Sequence, residues 1–394
     1  MKSEFKNLPS GWKVVRLGDV FEKITIKNRP DEPILTIKQG VGTILRENSD
    51  RQILFDKKQI STYKFVKKND FIIHLRSFEG GFEMSNHQGI VSPAYIILRN
   101  KILISHLYFK NFFRSHLFIH KILAICVEGI RDGKQLNFDT VKNLKIPFPP
   151  LDEQEKIAKI LSTWDEAINL TIDLIENKKQ FKKALMQNLL TAKIRFPEFK
   201  DEWKEIKLGE ILKEHKIKSD NKSEVFSVSV HKGIVNQIEH LGRSFSAEDT
   251  SNYNLVKPFD LVYTKSPTGD FPFGIIKQNL NPFNVIVSPL YGVFEPINKF
   301  LGTLLHYFFE SSIRTNNYLQ PIIQKGAKNT INISNDTFLS RSILVPINLN
   351  EQQKIAEVLT ACDDEINLLN LKLENLKKQK QGLMQKLLSG KVRI

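Results

Sequence analysis

Few residue sets in this chain have the spacing that chemistry requires. Gly129-Ile130-Arg131-Asp132-Gly133-Lys134-Gln135 resembles a phosphate-binding loop but has one residue too few between its glycines. It also ends in Gln where Mg²⁺ ligation needs a hydroxyl. Asn281-Pro282-Phe283 lacks the second proline of the Asn-Pro-Pro-aromatic motif of amino-methyltransferases, and no glycine-rich cofactor loop follows a strand upstream; a turn at a strand entrance accounts for it better. The nine histidines show no paired-ligand spacing; His116 and His120 are four apart and suit a surface face. No Ser/His/Asp or Cys/His set can be assembled. The residues therefore point to a binder that needs no metal and no cofactor of its own.

Four polar loops combine glycine with bases and amides. They are Arg76-Ser77-Phe78-Glu79-Gly80-Gly81, Arg131-Asp132-Gly133-Lys134-Gln135, Lys265-Ser266-Pro267-Thr268-Gly269-Asp270 and Lys325-Gly326-Ala327-Lys328-Asn329. Arg and Lys can clamp phosphates or read guanine edges, Gln and Asn suit adenine, and glycine lets a backbone approach a duplex. The candidate contacts are Arg76, Ser77, Gly80, Arg131, Lys134 and Gln135 in the first half of the chain. In the second they are Lys265, Ser266, Thr268, Lys325, Lys328 and Asn329. For any single lysine among them a solvated surface charge is the commoner reading; the paired occurrence of the loops in the two halves is what singles them out.

The elements that must position these loops are written twice. Glu153 to Phe196 aligns without a gap on Glu351 to Ile394, and roughly half the positions are identical. A fainter echo runs through the rest: WKVVRLGDVF from Trp12 against WKEIKLGEIL from Trp203, and Val91-Ser92-Pro93-Ala94-Tyr95 against Val287-Ser288-Pro289-Leu290-Tyr291. The order is globular half, long helix, globular half, long helix. Short β-branched and aromatic runs (Asp70 to His74, Pro93 to Leu98, Asp260 to Thr264, Asn284 to Val287) predict strands. Helical spacing over Leu103 to Ala124 and Phe300 to Tyr318 predicts one helical segment per half, so each half is α+β. The divisions fall at 1–150, 151–195, 196–348 and 349–394.

The second long helix carries a heptad seam at Ile355, Leu359, Cys362, Ile366, Leu369, Leu373, Leu376, Leu383 and Leu387, with Lys380 in the one polar slot. The first keeps it at Ile157, Leu161, Trp164, Ile168, Ile175, Leu185 and Leu189, with Lys182 in the matching slot. In each helix the acids come first and most bases last, which also suits the helix dipole. Antiparallel pairing sets acid against base. The expectation is an antiparallel coiled coil with a pseudo-twofold axis, separating two similar α+β domains; the alternative is that each helix packs on its own half.

Charge says what the globular halves meet. Of 394 residues, 58 are Lys or Arg and 43 Asp or Glu, a net +15. Each long-helix segment carries eight bases and six acids, so +11 remains in the globular halves. Such a balance suits a polyanion. A membrane is disfavoured, because no apolar run approaches the 18 residues of a span, and Met1 to Pro9 opens no signal peptide. Cys126 and Cys362 are read as buried, reduced thiols of a cytoplasmic protein. Asp165 to Leu190 would span roughly 40 Å as a helix, and one turn of B-DNA is roughly 34 to 36 Å. Two divergent halves held that far apart would read a bipartite, asymmetric site with an unread spacer.

With these residues in view, the chain resembles the specificity subunits of Type I restriction–modification systems, over nearly its whole length. The resemblance rests on LPSGWKVVRLGDVFEK near the start and on PFPPLDEQEKIAKIL and VPINLNEQQKIAEVL before the long helices. It rests also on the ends LMQNLLTAKIRF and LMQKLLSGKVRI. The second helix entrance lacks the double proline (Ile347-Asn348-Leu349), and Cys362 stands where the first copy has Trp164. The resemblance implies two target-recognition domains reading a split site on double-stranded DNA. It further implies two modification subunits and, for cleavage, two restriction subunits. Those partners supply S-adenosylmethionine-dependent adenine methylation and ATP-driven cleavage, and the chain itself is no enzyme. Other readings are a self-contained nuclease or methyltransferase with a degenerate site, and a coiled-coil adaptor without nucleic acid.

Overall fold

A computed structural model describes residues 8–49, 57–127, 136–243, 246, 248–325 and 331–394. The chain divides into two compact units: residues 1–173 with 371–394, and residues 174–370. Both boundaries fall inside the long helices, Leu151–Leu189 and Leu349–Leu388.

In the first unit a four-stranded antiparallel sheet runs in the order Phe21–Ile24, Ile96–Asn100, Phe71–Ile73, Glu83–Met84. The N-terminal strand Lys13–Arg16 pairs with Lys145–Phe148, just before the first long helix. Two further pairs complete the unit: the hairpin Leu35–Lys38/Gly42–Leu45, and Lys64–Val66 with Gly89–Val91. The second unit repeats the plan. Its sheet runs Leu212–Glu214, Gly292–Pro296, Leu261–Tyr263, Ile276–Gln278. Lys204–Lys207 pairs with Ser342–Val345, Phe226–Ser229 with Gly233–Asn236, and Asn254–Val256 with Val285–Val287.

Aromatic residues fill the first core. Phe113, fully buried, packs against Phe21, Phe71, Phe82, Phe109, Phe112 and Phe118 at centroid distances of 4.8 to 5.8 Å. Tilted and edge-on pairs of this kind add about 0.5–1.5 kcal/mol each beyond the area they bury. The second core uses Tyr263, Phe294, Phe309, Tyr318 and Phe338.

The helical segment of each half is broken, which periodicity did not anticipate. In the first, His106–Phe113 ends and a π-turn, Leu117–Ile122, follows. Ser115 makes the break: its hydroxyl donates to the Phe112 carbonyl and accepts the Phe118 N–H. In the second, Lys299–Glu310 gives way to Ser312–Leu319, and Ser311 caps the new helix through the Arg314 N–H. Short hydroxyl side chains compete locally for backbone groups, and apolar spacing carries no trace of that.

Each unit is closed by the end of the other copy's helix. In the first, Leu387 and Leu388 are buried with Trp12, Ile157, Ala158 and Leu161. Asp165 meets Lys380 at 2.5 Å, and Glu153 lies 3.8 Å from Arg393. In the second, Met186, Leu189 and Leu190 are buried with Ile355, Ala356 and Leu359. There Lys178 meets Glu365 at 2.8 Å, and Arg195 pairs with Glu351 at 2.8 Å. In both units one number rises as its partner's falls, so the two helices pair antiparallel, acid against base. Every seam position of the second helix from Ile355 to Leu387, Cys362 and Leu383 included, is buried or half-buried. In the first helix Leu161 and Leu189 are buried, and Trp164, Ile168 and Leu185 are half-buried. Thr171 and Lys178 fill the two slots that apolar spacing left open.

The repeated Glu-Gln at the helix entrances now has a physical account. Gln154 donates to the Pro149 carbonyl and accepts from the Ser105 N–H; Gln352 donates to the Pro346 carbonyl and accepts from Asn298. Both amides are buried, so each must have its partners. Each adjoining Glu faces the Arg that lies just past the end of the other copy's helix, Glu153 with Arg393 and Glu351 with Arg195.

Candidate nucleic-acid interface

Two of the four candidate loops are turns of equivalent hairpins. Residues 74–82 join Phe71–Ile73 to Glu83–Met84, and residues 264–275 join Leu261–Tyr263 to Ile276–Gln278. Both hairpins begin at an aspartate. Asp70 accepts the Lys67 N–H at 2.8 Å and binds Arg99 through two contacts at 2.7 and 2.8 Å. Asp260 accepts the Lys257 N–H at 2.7 Å and meets His215 at 2.8 Å. Each carboxylate closes the tight turn into the strand that delivers the loop.

In the first loop Arg76 is exposed at the start of a single helical turn, Ser77–Gly80. Its N–H donates to His74 Nδ1 at 3.2 Å. Burial pushes the His74 imidazole down to about 4, so it is neutral near pH 7. Ser77, named from the sequence as a candidate contact, is wholly buried, and its hydroxyl accepts the His74 N–H at 2.8 Å. Ser77 shapes the loop from inside. Gly80 is half-buried against the Gln39 side chain, where an added Cβ would overlap it.

In the second loop Ser266 and Thr268 are exposed and Lys265 is half-buried. Lys265 holds a left-handed backbone (φ +56°), uncommon for a residue with a side chain. Burial lowers its pKa, with Glu214 opposing the shift. An ammonium short of water is disposed to gain from a phosphate oxygen. The Thr268–Phe271 bridge closes the loop tip. Lys325 lies on a short strand, Gln324–Lys325, paired with Ile331–Asn332. Arg131, Lys134, Gln135, Lys328 and Asn329 lie outside the described residues.

Sequence reasoning missed two hairpin tips. Gln39, Gly40 and Val41 are exposed in the first unit, as are His231 and Lys232 in the second. The signal was present: LTIKQGVGTIL and FSVSVHKGIVN both set a glycine turn between β-branched runs. A two-stranded ribbon fits the major groove of B-DNA.

His116 and His120 are both exposed, with ring centroids 4.6 Å apart. Among the described residues no group of three or more His, Cys, Asp or Glu could hold a metal ion. Among them, too, no helix is long and apolar enough to cross a membrane.

The family model described as the Type I restriction modification DNA specificity domain matches twice, over residues 9–180 and 200–378. The Type I restriction enzyme MjaVIII specificity subunit of Methanocaldococcus jannaschii is 27% identical, covering 98% of this chain and 94% of that protein. The crystal structure of the HsdS subunit from Thermoanaerobacter tengcongensis shares the fold with a TM-score of 0.52 at 18% identity, over the whole of both chains. A chain from a study of complex assembly and conformational transition of the type I R-M system gives 0.57 at 17% identity, over 98% of this chain and 100% of that one. With two matched domains, two α+β units and two antiparallel helices, the chain belongs to the DNA specificity subunits of Type I restriction–modification systems.

Proposed function

We propose that the chain reads a bipartite, asymmetric site on double-stranded DNA, one half-site per unit, and that the paired helices set the unread spacer. In this reading the chain is the non-catalytic guide of a cytoplasmic complex. Two modification subunits bind S-adenosylmethionine and methylate adenines; two restriction subunits supply ATP-driven cleavage. The observation that carries it is a repeated scaffold with unrepeated loops. The same hairpin presents Arg76 in one unit and Lys265, Ser266 and Thr268 in the other. Equivalent positions with different donors and acceptors select different bases. Net charge supplies the sequence-independent grip, since each phosphate neutralised contributes about −0.9 to the slope of log K against log salt.

The test is selection from a random duplex library by the full chain assembled with modification subunits. Two dissimilar sequence blocks at fixed separation are expected. A single contiguous block, or no enrichment, contradicts the proposal.

A further inference from the structure

A second exposed element lies beside the candidate loop of the first unit, and a buried carboxylate fixes it there. The hairpin Leu35–Lys38/Gly42–Leu45 turns through Gln39, Gly40 and Val41, with Gly40 in the left-handed region (φ +81°). Glu83, wholly buried, accepts the Gly40 N–H at 2.7 Å with one oxygen and pairs with Arg114 through the other. Asn86 donates to the Val41 carbonyl at 3.0 Å and the Thr43 carbonyl at 3.2 Å. Thr43 Oγ1 and Ser85 Oγ share a hydrogen at 3.0 Å. The tip is thus clamped to the strand that returns from the candidate loop, and Gln39 covers Gly80 within that loop.

A carboxylate taken out of water is costly unless it is fully paired. Here one of its two oxygens is given to an amide at an exposed turn, which fixes where that turn sits. We infer that Gln39 is a specificity-determining residue of the first unit and that Glu83 is its positioning residue. The inference rests on the DNA-reading function proposed above. The chemistry recognised is an adenine edge in the major groove, because one carboxamide offers the donor and the acceptor that adenine N7 and N6 require. The second unit differs at this point. Glu83 stands opposite Ile72, and the residue opposite Val262 is Lys277, which is buried and brings no carboxylate to a turn N–H. Its tip carries His231 and Lys232 in place of an amide, which suits different bases in the other half-site.

The test uses the full chain with modification subunits, competing against duplexes in which every base pair of both half-sites is changed singly. Wild type comes first: no preference at either half-site overturns the DNA-reading function itself. Given a preference, Gln39→Ala is expected to flatten discrimination by roughly 5- to 150-fold at one or two adjacent base pairs of one half-site. The other half-site stays as in wild type. Glu83→Ala is expected to lose the same positions, and the double variant to be no worse there than either single one. Unchanged discrimination in Gln39→Ala overturns the inference. So does a Glu83→Ala loss spread evenly over both half-sites and additive with Gln39→Ala. Gln39 is exposed and meets the candidate loop at Gly80, so its variant keeps the core intact and decides the matter even if Glu83→Ala does not fold.

Discussion

His306 shows how much of this molecule is settled by single buried groups. It lies in the second unit, accepting the Gln278 N–H at 3.1 Å. Burial, with Lys277 and Lys182 nearby, holds its pKa well below the usual histidine value. Below about pH 6.5 the unfolded chain takes up a proton that the folded unit refuses, so stability falls as pH falls. Above that pH His306 contributes no slope. His306→Gln, which keeps an acceptor for the Gln278 N–H, is expected to flatten the fall of the urea midpoint between pH 7.5 and 5. An equal fall in both proteins would place the proton elsewhere. In the first unit Phe113→Ala opens a cavity among six aromatic neighbours, and a loss of about 3–5 kcal/mol is expected from urea unfolding. Neither residue announces itself in the sequence. Aromatic runs marked strands, but only the fold shows which ring stands at the centre of the core or which histidine is sealed.

Among the elements, the long helices were the most legible. Their repeat is ungapped, their seam follows steps of four and three, and the charge gradient already favoured antiparallel pairing. Partners remote in sequence were not legible. Lys182, in the polar slot, meets Asp363 at 2.7 Å and Glu310 at 3.0 Å, and Asp363 also accepts the Tyr307 hydroxyl at 2.7 Å. Lys380 and Asp165 make the corresponding pair in the other unit. Lys182→Glu sets like charges together and is expected to destabilise the second unit; adding Asp363→Lys restores part of the loss. A double-mutant cycle by urea denaturation measures that coupling, and strict additivity would mean that the contact contributes nothing. Helix ends make a sharper case. Removing residues 386–394 takes Leu387 and Leu388 from the core that holds Trp12 and Ile157. Amide exchange is expected to accelerate around Val20 and Phe21 in the first unit, although the cut lies at the far end of the chain. Acceleration confined to the second unit would contradict the assignment.

For the whole molecule, the duplicated plan and the α+β class could be read from spacing alone. The candidate surface was legible only in part. Arg76 and Lys265 stood out by composition and lie in equivalent hairpin loops, Ser77 is internal, and the exposed hairpin tips passed unnoticed because a glycine turn between strands is usually only a turn. The central claim is that two dissimilar readers are spaced by one pair of helices. An inserted heptad keeps the seam in phase and adds about 10 Å to a helix, close to three base-pair steps of about 3.4 Å. The direct measurement is a map of methylated adenines in cells expressing modification subunits with either the wild-type chain or one carrying seven extra residues after Asp173 and after Asn370. The account predicts the same two half-sites with a spacer longer by about three base pairs. An unchanged spacer, or altered half-sites at the old spacing, would contradict it.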